Sequence, residues 1–525
     1  MGKAPVTRDT PSARPAGRGR LLFHNTLYTA SASALWQVLA FVSLPMLLSA
    51  VGKADFGIYA LAAASLGYFS IVSLPARQAI TKFVAEYGAD DHTRVQQIFN
   101  TALVLNLATG ALIALALGFA AIHVDGLFNL DPADVPRARA LLLTYAGAAL
   151  LIQPLSVFAS ILYGIQNYRP IAAFDALGAI TRFSIIMAIF VLGGNIFWFA
   201  AHELLFEIFR GLVLRQVVRR RFPTLSVHPR LARLAGLRTI VGYGGWSLVY
   251  ALALLLIYQG NRVMVGVVLS VSVITYFHIA YMLFNLINTL ASYLRTAVLP
   301  SSSAAMAAGD HDFVNKLIYA GTKITLSTML PVCLHLILFS DSIIANWMGA
   351  AYVDATADLS RILIASWLFI LPTFLLVHVY WAQKEIAPLS VAALIGALAQ
   401  IALMAYLAGP WGLEGVAAAT VLYFALLAPV QLWIIARKLA IPIRHFLAAS
   451  LLPGYAINLV YAIGLAFVLR ELGAPASLPT LLLSLATSIG LNIAINFLTV
   501  SRHEGSVLVR RVRETGASAL RAARR

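Results

Sequence analysis

The chain has 525 residues, of which 60% are hydrophobic and only 11% are charged. Soluble domains carry roughly 25% charged residues, so the composition excludes a soluble enzyme and predicts a multi-pass membrane protein. The formal net charge of +17 is expected of cytoplasmic loops beside anionic lipid, and no nucleic-acid partner is predicted from it. The single cysteine, Cys333, lies in an apolar run, which argues against an intramolecular disulfide and a thiolate metal cluster.

Apolar segments of about 20 residues are long enough to cross a bilayer as helices. The sequence contains fourteen such segments, so it predicts an all-α integral membrane fold. A polar, basic stretch precedes the first segment and is predicted to be a disordered cytoplasmic tail. In chain order the segments span about 22–50, 57–75, 97–122, 139–163, 171–192, 196–214, 239–258, 265–293, 314–340, 358–381, 387–407, 411–435, 446–469 and 477–500.

The distribution of lysine and arginine predicts the orientation of these segments. With a cytoplasmic start, 30 of the 38 basic residues fall on the inner side and 6 on the outer side. The remaining two, Arg182 and Lys323, lie within segments. Eight arginines between Arg210 and Arg238 form the largest basic cluster, close to the middle of the chain. Because cytoplasmic loops are enriched in lysine and arginine, both termini are predicted to be cytoplasmic.

The second half of the chain echoes the first. Arg77 follows Tyr59 by 18 residues and Arg295 follows Tyr276 by 19, and each arginine precedes an inner segment that ends in acids. Chance spacing is the alternative to a duplication. A duplication predicts a parallel repeat of two pseudo-symmetric six-helix lobes around a central site. The predicted organisation is a basic tail (1–20), an N-lobe with helices 1–6 (21–215), an arginine-rich cytoplasmic linker (216–238), a C-lobe with helices 7–12 (239–440), two further helices (441–500) and a basic cytoplasmic tail (501–525).

Charged residues inside the first-lobe segments are candidates for a transport site, because a charge at mid-bilayer costs roughly 2.5–3.5 kcal/mol or more. Arg182 and Glu207 lie at nearly equal depth on either side of the turn at Asn195. Glu203 is on the same helix face as Glu207, and Asp175 is on the same helix face as Arg182. One interpretation is that Arg182 binds a pyrophosphate while Glu207, Glu203 and Asp175 take protons or sodium. The other is a permanent Arg182–Glu207 ion pair that only fixes packing.

The second lobe offers weaker candidates. His278 is either a hydrogen-bonded packing residue or part of an ion-coupling site. Lys323 either extends to the inner surface or lines the cavity. Arg77 and Arg295 end the second and eighth segments at matched positions. They are either topogenic charge or a pair that grips lipid phosphates in a bidentate manner.

Several short motifs carry a resemblance to a known family. The motifs are His24-Asn25-Thr26-Leu27-Tyr28, Val51-Gly52-Lys53-Ala54-Asp55-Phe56-Gly57-Ile58-Tyr59, Thr81-Lys82-Phe83-Val84-Ala85-Glu86-Tyr87 and Trp347-Met348-Gly349-Ala350-Ala351-Tyr352. The pair Asp90-Asp91 follows the third motif. Through the order of these motifs and through its fourteen apolar segments, the chain resembles the polysaccharide-exporting branch of the multidrug/oligosaccharidyl-lipid/polysaccharide (MOP) superfamily. That branch includes the Wzx-type O-antigen flippases and, more distantly, MurJ.

The resemblance implies a flippase for undecaprenyl diphosphate-linked oligosaccharide in the bacterial inner membrane, working by alternating access in polysaccharide or O-antigen biosynthesis. It implies H⁺ or Na⁺ coupling without a further cofactor. The expected partners are the lipid-linked oligosaccharide, membrane lipids and, further, glycan polymerase or assembly proteins. A cation-coupled multidrug antiporter of the same superfamily is the first alternative, which the three acids favour. A membrane glycan-assembly enzyme is the second, and the short outer loops argue against it. A secondary transporter rather than an enzyme is therefore expected.

Overall fold

The computed structural model describes residues 15–70, 77, 80–84, 92–223, 225–228, 234–307, 310–381, 386–473, 475 and 477–500. Within these ranges the chain is helical apart from short connections, and it contains no strand. The tail 501–525 and residues 1–14 lie outside the described residues. The expectation of a disordered tail over 1–20 is wrong for residues 15–20, which belong to the first helix.

In the described part of the first half, six helices have defined bounds, and residues 77 and 80–84 are also helical. The first of them is broken at Gly52, whose backbone is not helical (φ 82°, ψ 169°). They are α1 (Pro15–Ser70), α2 (His92–Ile122), the short α3 (Val124–Leu127), α4 (Val135–Gly164), α5 (Arg169–Leu192) and α6 (Ile196–Arg221).

The second half continues the helical pattern, with a second break at Gly412 (φ 56°, ψ −134°). Its helices are α7 (Leu234–Val268), α8 (Ile274–Ala307), α9 (His311–Leu338), α10 (Ser340–Trp347), α11 (Val353–Trp381), α12 (Ala387–Leu439), α13 (Ile443–Phe446), α14 (Leu452–Leu472) and α15 (Leu478–Thr499).

The helices account for the predicted segments. In the described part of the chain, eleven helical stretches are long and apolar enough to cross a membrane. Two of them, in α1 and α12, each contain two predicted segments, joined across Gly52 and Gly412. Helix α6 covers the sixth predicted segment but carries more charge than the eleven. The protein is therefore an all-α, multi-pass membrane protein, as predicted. The number of crossings, the lobe boundaries and the side of each terminus stay predictions.

The helices pack in two groups, defined here by their contacts. In the first group α4 packs on α2 and α6, and α1 packs on α5. In the second group α12 packs on α7 and α11, and α11 also packs on α8 and α9. Helices α14 and α15 pack on α9 at the edge of the second group. Helix α1 also contacts α7 and α8, so it forms much of the boundary between the groups.

The two groups are joined at the end where the outer loops are predicted. The backbone N–H of Asn129 donates to the Gly266 carbonyl (2.9 Å), and the N–H of Val271 donates to the Asn129 carbonyl (3.1 Å). Nearby, the Lys53 ammonium donates to the Tyr276 hydroxyl (2.7 Å). The structure is thus closed between the groups at the predicted outer end.

An aromatic contact also joins α1 to the second group. The rings of Phe41 and Trp347 stack with centroids 3.9 Å apart and an interplanar angle of 3°. The indole N–H of Trp347 also donates to the Phe41 carbonyl at 2.8 Å. Because Pro45 follows at four residues and leaves the carbonyl of Phe41 without its helical donor, this bond satisfies an otherwise unpaired backbone group.

Candidate functional site

A cavity of about 790 Å³ lies between the two groups of helices. The second group contributes Asn285, Thr289 and Ser292 of α8, which are spaced as one helix face. The first group contributes most of the polar lining from α1, α4, α5 and α6. These polar residues are Ser33, Gln37, Tyr59, Tyr145, Asp175, Arg182, His202, Glu203 and Glu207.

Arg182 and Glu203 form the central ion pair of this cavity. Nη1 of Arg182 lies 2.6 Å from Oε1 of Glu203, and both side chains are mostly buried, with 26% and 22% of their surface exposed. The hydroxyl of Tyr59 donates to the other carboxylate oxygen at 2.6 Å. Each carboxylate oxygen of Glu203 therefore has a partner from a different helix.

The Arg182 guanidinium is also held by aromatic rings. It lies 4.9 Å from the ring centroid of Phe199 and 5.6 Å from that of Trp36. Such cation–π contacts fix the orientation of the planar group and add to its retention when it is partly removed from water. Its Nε is buried and has no hydrogen-bond acceptor among the described residues. Nε of Arg182 is thus a buried donor without an acceptor among the described residues, whereas Nη1 is paired with Glu203.

The predicted pairing of Arg182 with Glu207 is wrong. Glu207 instead lies 3.2 Å from Arg210, one turn further along α6, and Arg210 also binds Asp175 of α5 at 2.8 Å. Equal distance from the Asn195 turn could not decide the partner, because Glu203 and Glu207 are one turn apart on the same face. Two other contacts determine the pairing: Tyr59 donates a hydrogen bond to Glu203, and Arg210 forms an ion pair with Glu207.

The structure brings the four first-lobe candidates together and leaves the others apart. Asp175, Arg182, Glu203 and Glu207 all line the cavity. Lys323 is half-buried in α9 and is not among the described residues of the lining.

His278 and Arg77 are half-buried away from the lining. His278 packs edge-on against Phe56, with centroids 5.0 Å apart, and its Nδ1 is buried without a hydrogen-bond partner in the described part of the chain. Nε of Arg77 is also buried without a described partner. Arg295 belongs to α8, and its side chain lies outside the described residues. The matched Arg77 and Arg295 pair therefore stays a prediction.

Two arginines that interact with residues of the cavity lining were not among the predicted site residues. Arg210 is the first arginine of the predicted cytoplasmic cluster, but it lies within α6 and forms an ion pair with Asp175 of α5. Arg262 falls between the predicted seventh and eighth segments, but the structure places it within α7, with its guanidinium 5.1 Å from the ring centroid of Tyr281. It is near enough to Tyr59 and to His278 to interact with both electrostatically.

The error at Arg262 has a local cause. The predicted seventh segment ends at residue 258, shortly before the dipeptide Gly260-Asn261, which is typical of a turn. Helix α7 instead continues through this dipeptide to Val268. The apolar run from Val263 to Val268 is the signal that could have extended the helix.

A sequence profile places the chain in a family. The profile of the family described as polysaccharide biosynthesis protein matches residues 22–306, which is more than half of the chain. The chain belongs to the polysaccharide biosynthesis protein family. A search among curated proteins found no match.

Solved structures show that this family member has the MOP fold. The lipid II flippase MurJ in an inward closed conformation aligns with a TM-score of 0.67 and 15% identity, covering 92% of this chain and 99% of MurJ. A multidrug resistance MATE transporter in an inward-facing conformation aligns with a TM-score of 0.61 and 16% identity, covering 80% and 98%. A MOP superfamily transporter from Pyrococcus furiosus, described as having a binding pocket of reverse polarity, aligns at 0.52 and 18%, covering 80% and 95%.

At these identities the likeness is one of fold alone. Together with the family match, it confirms the resemblance to the exporter superfamily that the motifs predicted. The family and its structural neighbours are transporters and flippases.

Proposed function

We propose that the protein is a flippase that moves a polyprenyl diphosphate-linked oligosaccharide from the inner to the outer leaflet of the bacterial inner membrane. The observation that carries the proposal is the Arg182 guanidinium, held between aromatic rings inside a cavity between two helix groups. A planar guanidinium binds phosphate oxygens in a bidentate manner, which a compact ammonium does not.

Other donors around Arg182 suit the same ligand. The Tyr145 hydroxyl lies beside the Glu203 carboxylate, and both ring nitrogens of His202 are buried without a hydrogen-bond partner among the described residues. At least one ring nitrogen of His202 carries a proton, and a buried donor without an acceptor is rare and costly, so this side chain favours a ligand with acceptor oxygens. A diphosphate is such a ligand.

The size and position of the cavity fit a headgroup rather than a whole lipid. A volume of about 790 Å³ is within the range of sites for ligands of drug size. The polyprenyl tail would remain in the bilayer, where its apolar surface stays out of water. Closure at the predicted outer end is the arrangement that alternating access requires for loading from the inner leaflet.

A cation-coupled multidrug antiporter is the alternative, and one observation favours it. The acids Asp175, Glu203 and Glu207 all line the cavity and could bind a cationic drug. However, Arg182 neutralises Glu203, while Arg210 binds both other acids. A cation would have to displace an arginine in each case, so the anionic headgroup is the better match.

The decisive experiment is flipping of a fluorescent polyprenyl diphosphate sugar in proteoliposomes. We expect the wild type to flip the lipid and Arg182→Ala to lose most of this activity. Arg361→Ala is the matched control, because it removes an arginine that bridges two acids, Asp341 and Asp358, away from the cavity. Wild-type export of cationic dyes without flipping would support the antiporter instead.

A further inference from the structure

Glu203 occupies the position that a diphosphate would need on Arg182. Its Oε1 lies 2.6 Å from Nη1 of Arg182, and Nε of the same guanidinium is buried, so a bidentate ligand from the cavity needs the Nη1 that Glu203 holds. A phosphate that binds in a bidentate manner requires two adjacent N–H groups of that fork. The bound anion and the Glu203 carboxylate therefore compete for the same donors.

The surroundings determine what happens to Glu203 once Arg182 is taken. The hydroxyls of Tyr59, from α1, and Tyr145, from α4, are the neutral groups beside its carboxylate. His202 is its neighbour on α6, Arg262 of α7 is near Tyr59, and His278 of α8 is near both Arg262 and Arg182. Among the described residues, Arg182 is the cation in direct contact with Glu203.

We propose that a diphosphate on Arg182 and a proton on Glu203 bind together, so that the protein takes up a proton with each anionic headgroup. The inference rests on the proposed function, since it takes the diphosphate as the anion. Diphosphate oxygens replace Oε1 of Glu203 on Nη1 of the guanidinium, and the displaced carboxylate takes up one proton from the buffered solvent. A proton on the carboxylate removes the repulsion between two negative charges that would otherwise be adjacent without a cation between them. The Tyr59 hydroxyl continues to donate to the other oxygen.

Release of the headgroup reverses each step. The proton returns to water, and Glu203 re-forms its ion pair with Arg182. The protein without substrate then returns to the conformation that loads from the inner leaflet, with Arg182 and Glu203 paired so that their charges cancel. Proton and anion are thus cooperative ligands, and by thermodynamic linkage each raises the affinity for the other. An antiporter whose acids take either a proton or a cationic drug would show competition instead.

The sign of the linkage can be measured by calorimetry in buffers of different ionisation enthalpy, with the protein in lipid nanodiscs. The probe is a polyprenyl diphosphate carrying one N-acetylhexosamine, because a diphosphate diester keeps its charge from neutral to mildly acidic pH. We expect the wild type to take up protons on binding. Its affinity should rise as pH falls, by up to about tenfold per pH unit, the limit for one linked proton.

Variants of Glu203 assign the proton. Glu203→Gln should bind the probe with no proton uptake and little pH dependence, whereas Glu203→Asp should retain both signals. Glu471→Gln, at an exposed carboxyl near the end of α14, is the matched control and should behave as the wild type. Normal elution in size-exclusion chromatography shows that each variant is folded.

The outcomes separate this inference from the proposed function. Probe binding that depends on Arg182 but releases protons, or takes up none, overturns the linkage and leaves the flippase proposal standing. Undiminished proton uptake in Glu203→Gln also overturns it. Absence of probe binding by the wild type at any pH overturns both.

Discussion

Glu203 is bound from two sides, and this predicts what happens when its cation is removed. Breaking a dry buried ion pair costs about 3–5 kcal/mol, because the remaining charge is left uncompensated. Both side chains keep roughly a quarter of their surface exposed to the cavity. We therefore expect Arg182→Ala to destabilise the protein by only about 1–3 kcal/mol. The double variant Arg182→Ala/Glu203→Gln should recover part of this loss, since no unpaired charge remains.

Thermal unfolding of the four proteins in detergent measures this coupling as a double-mutant cycle. Strict additivity of the two single effects would show that the pair contributes nothing to stability. The same four proteins in the flipping assay separate the roles of the pair. A double variant that is stable but inactive assigns Arg182 to the substrate rather than to packing.

The sequence could identify which residues are charged within the membrane, but not how they pair. Charge in an apolar segment is a strong signal, and it found Arg182, Glu203, Glu207 and Asp175. The partner of Arg182 depends on side chains contributed by other helices. Tyr59 lies far from Glu203 in the sequence and has no charge, so no pattern linked the two.

At the scale of helices, the break at Gly52 predicts a local requirement for glycine. Its backbone (φ 82°, ψ 169°) is in a region that is accessible almost only to glycine, and residues with a Cβ pay about 1–3 kcal/mol there. A Cβ at this position would meet no atom within 4 Å, so the cost of Gly52→Ala arises from the backbone alone.

Gly118→Ala is the matched control for this prediction. Gly118 lies inside α2, its φ is not positive, and a Cβ there also meets no atom within 4 Å. Alanine is the better helix former by up to about 1 kcal/mol, so this change should be neutral or stabilising. Melting temperatures in detergent should fall for Gly52→Ala only. Equal melting temperatures would mean that the break is not needed for the fold.

The helices were largely predictable, and their ends less so. Long apolar segments identify membrane helices because the bilayer requires their length and their internal hydrogen bonds. Helix α6 continues to Arg221, beyond the predicted end of its segment at 214, because arginines in a last turn interact favourably with the helix dipole. Hydropathy locates the apolar part of a helix but not its polar continuation.

At the scale of the whole molecule, closure between the two helix groups depends on a close approach of their backbones. Gly57 of α1 packs against the turn between α7 and α8, and a Cβ there would overlap the Val271 carbonyl oxygen. No hydropathy pattern predicts this contact, since it joins residues more than 200 positions apart in the sequence. Because the contact exists only while the outer end is closed, a larger residue at Gly57 should favour opening.

We expect Gly57→Ala to shift the protein from the closed to the open arrangement at the predicted outer end. Overpacking of this kind costs about 1–3 kcal/mol in the closed state, which corresponds to a shift of roughly 5- to 150-fold in the closed-to-open ratio.

Spin labels at Gly126→Cys and Ala351→Cys, both exposed, would report the separation of the two groups by pulsed electron spin resonance. The native Cys333 is buried and can stay in place. Longer distances should gain population in Gly57→Ala and not in Gly118→Ala, whose methyl group meets no neighbour. If Gly57→Ala leaves the distances unchanged while the protein stays folded, the contact with Val271 does not hold the two groups together.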